Sequence, residues 1–329
     1  MSKPIREKLI NALAGGGFVS GQSIADELSV SRAAISNQVK ALNEMGLDIF
    51  KVRGKGYQLA NPLVLLDKVA IGEGLNALRA DNCVETHTLI DSTNDYLMRK
   101  LPNQVTQGQV CIAEYQSAGR GRRGRQWISP FGSHLYLSYY HKLNDGFSAA
   151  MGLSLVTALA ISDAINTLYD VQVQLKWPND VYLDGVKLAG ILIDLEGQAT
   201  GDCHSVIGIG VNLQMPEQAA EQITQPWTDL QQYVGERIDR NELVVAIIVA
   251  LNQRLKQQSE QGVESMLSDW HQHDLYLNQT VKIITGENEE FGICRGVNEQ
   301  GALLLETNGQ LKTLFGGEVS LRGVDANIG

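Results

Sequence analysis

Cysteine is scarce in this 329-residue chain: Cys83, Cys111, Cys203 and Cys294 stand far apart, with no C-x-x-C pair. That spacing argues against a disulfide framework or a zinc ribbon and suits a reducing compartment. The N-terminus MSKPIREKLINAL has no apolar h-region, so no secretory signal is expected. Long apolar runs are missing too. The richest, AAMGLSLVTALAISDAI, carries Ser154, Thr157, Ser162 and Asp163 and reads as a buried helix rather than a membrane span. A cytoplasmic protein without a membrane partner is expected. Internal repeats and low-complexity segments are absent. No His/Asp ligand cluster is visible, so no metal site is expected, and HQHD at 271–274 reads as a helix end.

What is present describes a folded, multidomain protein. Hydrophobic residues make up 43% and charged residues 19%, an ordinary globular balance. The length suggests two or three domains, and a chain of this size buries about 75% of its unfolded surface. Net charge is -10, unevenly spread: residues 1–60 hold eight Lys/Arg against five Asp/Glu, leaving the remainder at -13. A basic end on an acidic chain directs attention to nucleic acid there.

That basic end is patterned. Ile5, Leu9, Ile10 and Leu13 sit at helical spacing, and GGGF ends the helix. Ser20 is placed to cap a second helix, and Ser31 a third whose stripe is Ile35, Val39 and Leu42 and whose stop is Gly46. Two short strands around Arg53-Gly54-Lys55-Gly56 then form a basic hairpin. Three helices and a wing describe a winged helix-turn-helix, although most three-helix segments are only packing domains. Charge favours DNA binding: Ser31, Arg32, Ser36, Asn37 and Gln38 on the third helix, with Arg53 and Lys55 on the wing, suit phosphates and base edges. The unit spans residues 1–62, its linker ending near Pro62.

Residues 63–272 mix strands (VETHTLID, QVCIAEYQ, HLYLSYYHKL, VQLKW, KLAGILIDLEG, SVIGIGVNL) with helices at STNDYLMRKL, 148–169 and 240–268. Tight turns such as Asp184-Gly185 join strands directly, which favours an α+β mixed sheet over a doubly wound one. Residues 273–329 break into five short alternating runs, the pattern of a small SH3-like β-barrel.

Within the central domain GRGRRGRQW, residues 119–127, packs four arginines and three glycines into nine positions. It spells G-x-G-x-x-G, but Pro130 and Gly132 stand where a dinucleotide fold needs a helix, and the next regular element is a strand. An RGG-type tract would repeat in disordered sequence; this one occurs once between strands. An anion cradle remains: glycines admit close backbone N–H groups, arginines give bidentate donors, and Trp127 offers a flat face. Mutual repulsion of the arginines predicts a loop that orders on its ligand.

Companions narrow the ligand. DSTN holds Ser92, Thr93 and Asn94 at a helix start, and Gln116 ends the strand feeding the loop. KWPND supplies Lys176, Asn179 and Asp180, KLAGIL supplies Lys187 and Gly190, and GIGVN ends in Asn212. Singly each has a structural explanation, as cap or turn former.

Taken in order, GRGRRGRQW, KWPND and KLAGIL resemble the biotin–protein ligase family, and the helix-turn-helix and closing barrel resemble its bifunctional bacterial members, over essentially the whole chain. The resemblance implies a class II aminoacyl-tRNA synthetase-like ligase domain that uses Mg-ATP and biotin. It implies biotinyl-5'-AMP as intermediate and corepressor, and transfer to a lysine of the biotin carboxyl carrier protein of acetyl-CoA carboxylase. A ligand-promoted homodimer would bind a palindromic operator of the biotin biosynthesis genes. It assigns Ser92, Thr93, Asn94, Gln116, Arg120, Gly121, Arg122 and Lys187 to biotin. Arg120, Arg122, Trp127, Asn179, Lys187 and Asn212 go to ATP or the adenylate, and Lys187, Arg122 and Asp180 to catalysis. A ligand-sensing transcription factor and a lipoate-type ligase are the alternatives. Arg122→Gly is predicted to leak reactive adenylate and label bystander lysines; tight adenylate retention by this variant, measured by dissociation, would remove the assignment.

Overall fold

The computed structural model describes residues 2–61, 63–144, 146–198, 201–223, 225–316 and 319–323. Pro62, the expected end of the first linker, and residues 324–329 of the expected barrel lie outside them.

Helices α1 (Ser2–Ala14), α2 (Gly21–Glu27) and α3 (Arg32–Glu44) open the chain. The Ser20 and Ser31 hydroxyls accept from the N–H groups of Ser23 and Ala34, satisfying donors that a helix start leaves free. Ile35, Val39 and Leu42 turn inward with Leu9, Ile10, Leu13 and Ile24 to make a small core. The hairpin β1 (Ile49–Val52) and β2 (Gly56–Leu59) pairs antiparallel and leaves Arg53 and Lys55 exposed. This is the expected winged helix-turn-helix.

The central domain contains α4 (Lys68–Ala77), β3 (Val84–His87), α5 (Thr93–Met98), β4 (Val110–Ala113) and β5 (His134–Leu143). It continues through α6 (Leu153–Tyr169), β6 (Gln174–Lys176), β7 (Asp180–Leu183), β8 (Val186–Gly197) and β9 (Cys203–Asn212). Helices α7 (Glu217–Ala220), α8 (Arg240–Gln261) and α9 (Leu267–His273) complete it. Its seven strands run in the order β3-β4-β5-β9-β8-β7-β6, with β3 and β4 parallel and the other neighbours antiparallel. The sheet is therefore mixed, as the tight turns predict.

Four elements depart from the sequence pattern. Helix α4 is unannounced because Gly72 and Gly74 dilute its helical signal; Gly74 lets it lie against Val245 of α8. The helix expected from 148 starts at Leu153, and the one expected to run to 268 stops at Gln261. Both limits fall at glycines with positive φ, Gly152 and Gly262. Residues after the KWPN turn, not among the expected strands, form β7, pairing with β6 and β8. The HQHD segment does close a helix, α9.

Alternation along β9 sorts the two faces of the sheet. Ile207, Ile209 and Val211 join the large core beneath α6 and α8, while Val206 packs with Leu97 of α5 on the opposite face. Strands β10 (Thr280–Thr285), β11 (Asn288–Val297), β12 (Leu303–Thr307), β13 (Gln310–Leu314) and β14 (Val319–Gly323) form a separate antiparallel sheet of SH3-like type. The Trp177 indole N–H donates to Gly301 O and ties this sheet to the central one.

The N-terminal unit is stitched on in two places. Phe131 N donates to Met45 O at 2.8 Å, at the end of α3. Further on, the linker is held by a buried ion pair, Arg240 to Glu114 at 2.7 Å. Leu66 N donates to Glu114, and Arg240 donates to Val64 O. Glu114→Gln is expected to lower stability by about 3 kcal/mol, because a buried guanidinium loses its counter-charge. A chemical denaturation midpoint giving a loss below about 1 kcal/mol would contradict this.

Candidate functional site

The floor of the site is the face of β8 and β9 opposite α6. Gly208 and Gly210 come up on it because their neighbours Ile207, Ile209 and Val211 point into the core. Bare backbone is required there. A Cβ at Gly208 would collide with the Asn94 amide, and one at Gly210 would lie 2.5 Å from the Trp127 ring. Gly190 on β8 is likewise only 3.0 Å from Trp127 and 3.3 Å from Lys187 Nζ when given a Cβ. Small residues thus let a helix start and an indole ring lie flat on the sheet.

The arginine stretch forms a tight hairpin above this floor. Trp127 N donates to Gly119 O at 2.9 Å and Gly121 N to Arg125 O at 2.7 Å, around a single 3-10 turn at Arg122–Gly124. No helix follows, and the dinucleotide geometry is absent. Trp127 seats its indole over Gly190 and Gly210, with Lys187 Nζ 5.6 Å from the ring centroid.

One end of the cleft is a recess of neutral polar groups. Ser92 caps α5 and accepts from Asp95 N, so its structural and its site role coincide. Gln116 Oε1 accepts from Thr93 N at 2.9 Å and Thr93 Oγ1 at 3.1 Å. Asn94 Nδ2 donates to Asp194 Oδ2 at 2.9 Å, and Ser138 donates to Asn94 Oδ1 at 2.5 Å. Arg120 reaches back from the hairpin to this end and pairs with Asp95 and Asp194, both at 2.6 Å.

The other end is cationic. Lys187 Nζ lies 2.7 Å from Asp180 Oδ1. Arg122 donates to Asn179 Oδ1 at 2.8 Å, and Asn179 in turn donates to Ile191 O. Lys176 bonds Tyr182 OH at 2.8 Å. Burial holds the Lys176 ammonium below the usual lysine range; Asp180 opposes this, while the Lys187, Arg322 and Arg125 charges reinforce it. Burial also lowers Arg122, against the pull of Asp180. Such a crowd of partly desolvated cations is suited to polyanionic ligands.

Of the residues expected at the site, Ser92, Thr93, Asn94, Gln116, Arg120, Gly121, Arg122, Trp127, Asn179, Asp180 and Lys187 line this one cleft. Asn212 is not among its lining residues: it is buried at the end of β9 and donates to Thr228 O. The candidate DNA contacts are on the N-terminal unit. There Arg32, Ser36 and Asn37 are exposed, while Gln38 is half-buried and accepts from Arg6 at 2.6 Å. Lys55 rests 5.3 Å from the Phe18 ring. Gly208, Gly210 and residues 319–321 of β14, which line the cleft, and Ser138 and Asp194, which bond Asn94 behind it, were not anticipated. Only the period-two glycines of GIG, facing away from apolar partners, carried a signal for it. Among the described residues no group of three or more His, Cys, Asp or Glu is gathered for a metal ion.

A polar recess, a cation cluster and a bare sheet floor on an α+β domain, preceded by a helix-turn-helix, define the class: a nucleotide-using ligase fused to a DNA-binding unit. Comparison with known proteins agrees. Residues 87–212 match the biotin/lipoate A/B protein ligase family, residues 6–58 an HTH domain and residues 276–322 the biotin protein ligase C-terminal domain. The bifunctional ligase/repressor BirA of Salmonella typhimurium is 43% identical over 317 residues, 96% of this chain and 97% of that protein. BirA of Bacillus subtilis is 29% identical over 98% of this chain and 100% of its own length. The biotin protein ligase of Aquifex aeolicus, solved with biotin and ATP, superposes with a TM-score of 0.63 at 30% identity, covering 74% of this chain and 99% of that one. The chain belongs to the biotin–protein ligase family.

Gly208→Ala is expected to cost about 1–3 kcal/mol by overpacking against Asn94. In an Asn94→Ala background the same change should cost almost nothing. Thermal denaturation of the four-variant cycle measures this; equal costs in both backgrounds would show that Asn94 is not what the glycine makes room for.

Proposed function

We propose that this chain is an ATP-dependent biotin–protein ligase and a DNA-binding transcriptional repressor. It forms biotinyl-5'-AMP and transfers biotin to one lysine of the biotin carboxyl carrier protein of acetyl-CoA carboxylase. The observation that carries the ligase reading is the juxtaposition in one cleft of a neutral hydrogen-bonding recess and a cation cluster, spanned by an indole on bare backbone. A ureido ring fits the first, a triphosphate the second, and the reacting carboxylate and α-phosphate meet between them at Lys187.

The chemistry is limited by repulsion between two anions. A biotin carboxylate oxygen attacks the α-phosphorus, the bond to the bridging oxygen breaks, and pyrophosphate leaves. Fixed cations and N–H groups offset that repulsion without reorganising as the bond forms. We assign the bridging role to Lys187 and closure over the phosphates to Arg122 and Gly121. Arg120 anchors the hairpin at the ureido end, next to Ser92, Thr93, Asn94 and Gln116. Trp127 faces adenine, and Asn179 holds Arg122. Asn212, which donates to Thr228 O, helps read the adenine edge. Lys187 is paired to Asp180. An arriving anion competes for the ammonium and frees the Asp180 carboxylate to orient the attacking lysine, which loses its proton as the amide forms and AMP departs. Mg²⁺ carried by ATP would partly neutralise the triphosphate charge.

Repression follows from the N-terminal unit. The working units are residues 1–62 for DNA, 63–272 for catalysis and 273–329 for the barrel. The adenylate acts as corepressor by favouring a homodimer, which sets two wings on a palindromic operator. Among the described residues no helix is long and apolar enough to cross a membrane.

The test is to incubate the protein with ATP, biotin and lipoate and identify the retained product by mass spectrometry. Biotinyl-5'-AMP with pyrophosphate release is expected, and Lys187→Ala should slow that release by about 100-fold or more. A lipoyl adenylate as the main product, or a wild-type rate in Lys187→Ala, would contradict these assignments.

A further inference from the structure

We propose that Asp194 is a positioning residue for biotin, its carboxylate setting the direction of the hydrogen bonds in the ureido recess and tying that recess to the arginine hairpin. The inference rests on the ligase reading and deepens it. Asp194 stands on β8 at the edge of the recess, with its side chain mostly covered. A carboxylate only accepts. Its Oδ2 takes one proton of the Asn94 amide at 2.9 Å, and Leu192 O takes the other at 3.3 Å. With both amide protons committed on that side, Asn94 Oδ1 must face inward.

The rest of the chain of bonds then has one sense. Ser138 Oγ lies 2.5 Å from Asn94 Oδ1 and 2.7 Å from Thr93 Oγ1. Its single proton goes to the amide oxygen, which cannot donate, so it is an acceptor toward Thr93. Thr93 shares its proton between Ser138 and Gln116 Oε1. Gln116 Nε2 donates to Ser129 Oγ at 3.2 Å, and Ser129 donates to the Trp127 carbonyl at 3.0 Å. Acceptor-only groups therefore close the network at both ends, Asp194 at one and a backbone carbonyl at the other. Toward the cleft this leaves lone pairs on Asn94 Oδ1 and Thr93 Oγ1. Ser92 Oγ already accepts from Asp95 N, so its proton remains to be donated. Two acceptors beside one donor complement a ureido group, which offers two N–H donors and one carbonyl.

The same carboxylate holds Arg120, with Nη2 2.6 Å from Oδ2 and Nη1 3.4 Å from Oδ1; Asp95 takes a second bond from Nη2. Two donors thus converge on Asp194 from different segments. Both strong bonds land on Oδ2, so an asparagine could keep them with its oxygen in that place, whereas an apolar side chain offers Asn94 and Arg120 no acceptor at all.

The experiment is steady-state pyrophosphate release by the full chain, with melting curves to confirm folding. Asp194→Ala is expected to raise KM for biotin by about tenfold or more, while kcat and KM for ATP stay within about threefold. Asp194→Glu, still an acceptor-only anion, should recover most of the loss. Should the alanine variant fail to fold, Asp194→Val, β-branched for a strand and equally without an acceptor, replaces it, and the same rise in biotin KM is expected. An unchanged biotin KM, a loss spread equally over kcat and both KM values, or no recovery with glutamate would overturn the proposal. Absence of biotin-dependent pyrophosphate release in the wild-type protein would instead remove the ligase reading on which it stands.

Discussion

Everything at the site depends on one strand presenting bare backbone. β9 is a central strand paired along its length on both sides, to β5 and to β8, and so cannot shift to make room. What approaches it must fit the space its side chains leave. At Gly208 and Gly210 they leave all of it, and the start of α5 and the Trp127 ring settle directly on the sheet. The rigidity of the floor is what makes hydrogen bonds above it directional. A recess built on a flexible loop could not hold Asn94 between three partners drawn from β5 and β8.

Charge is arranged with the same economy. A protein of net charge -10 gathers Arg122, Lys176 and Lys187 in one cleft, where partial burial makes each more expensive to leave unmatched. Carboxylates at either end of the cleft answer its cations, Asp180 beside Lys187, and Asp95 and Asp194 around Arg120. The cations are thus kept in place by partners a stronger anion can displace. The surplus negative charge elsewhere leaves the basic winged unit as the part of the surface suited to DNA.

Much of this was legible in the sequence because it is local. Serine caps three residues ahead of an amide, a glycine stop after α3 and alternating strands with turn residues between them all act within a few positions. The arginine stretch could be separated from a dinucleotide finger by Pro130 and Gly132 alone. What escaped was of two kinds. Helix α4 hides behind two glycines whose purpose, closeness to Val245, lies far along the chain. Asp194 looks like an ordinary strand residue until Asn94, one hundred positions earlier, is folded against it. Asn212 shows the converse: a polar residue at the end of a promising motif also holds a distant segment, donating to Thr228 O. Gln38, similarly, looks like a free contact on a recognition helix until Arg6 is found holding it.

The bond from Phe131 to the end of α3 and the buried Glu114–Arg240 clamp on the linker have a consequence for how the molecule comes apart. Small domains on flexible tethers melt one at a time, each at its own temperature. Here the shared core already includes Phe131 and Leu89 of the central domain alongside the helices of the winged unit. Losing that unit strips cover from apolar groups beside the catalytic sheet, and loosening the sheet removes the bed of α3. The two therefore stand as one cooperative block, and the DNA-reading helix inherits its steadiness from the enzyme beneath it.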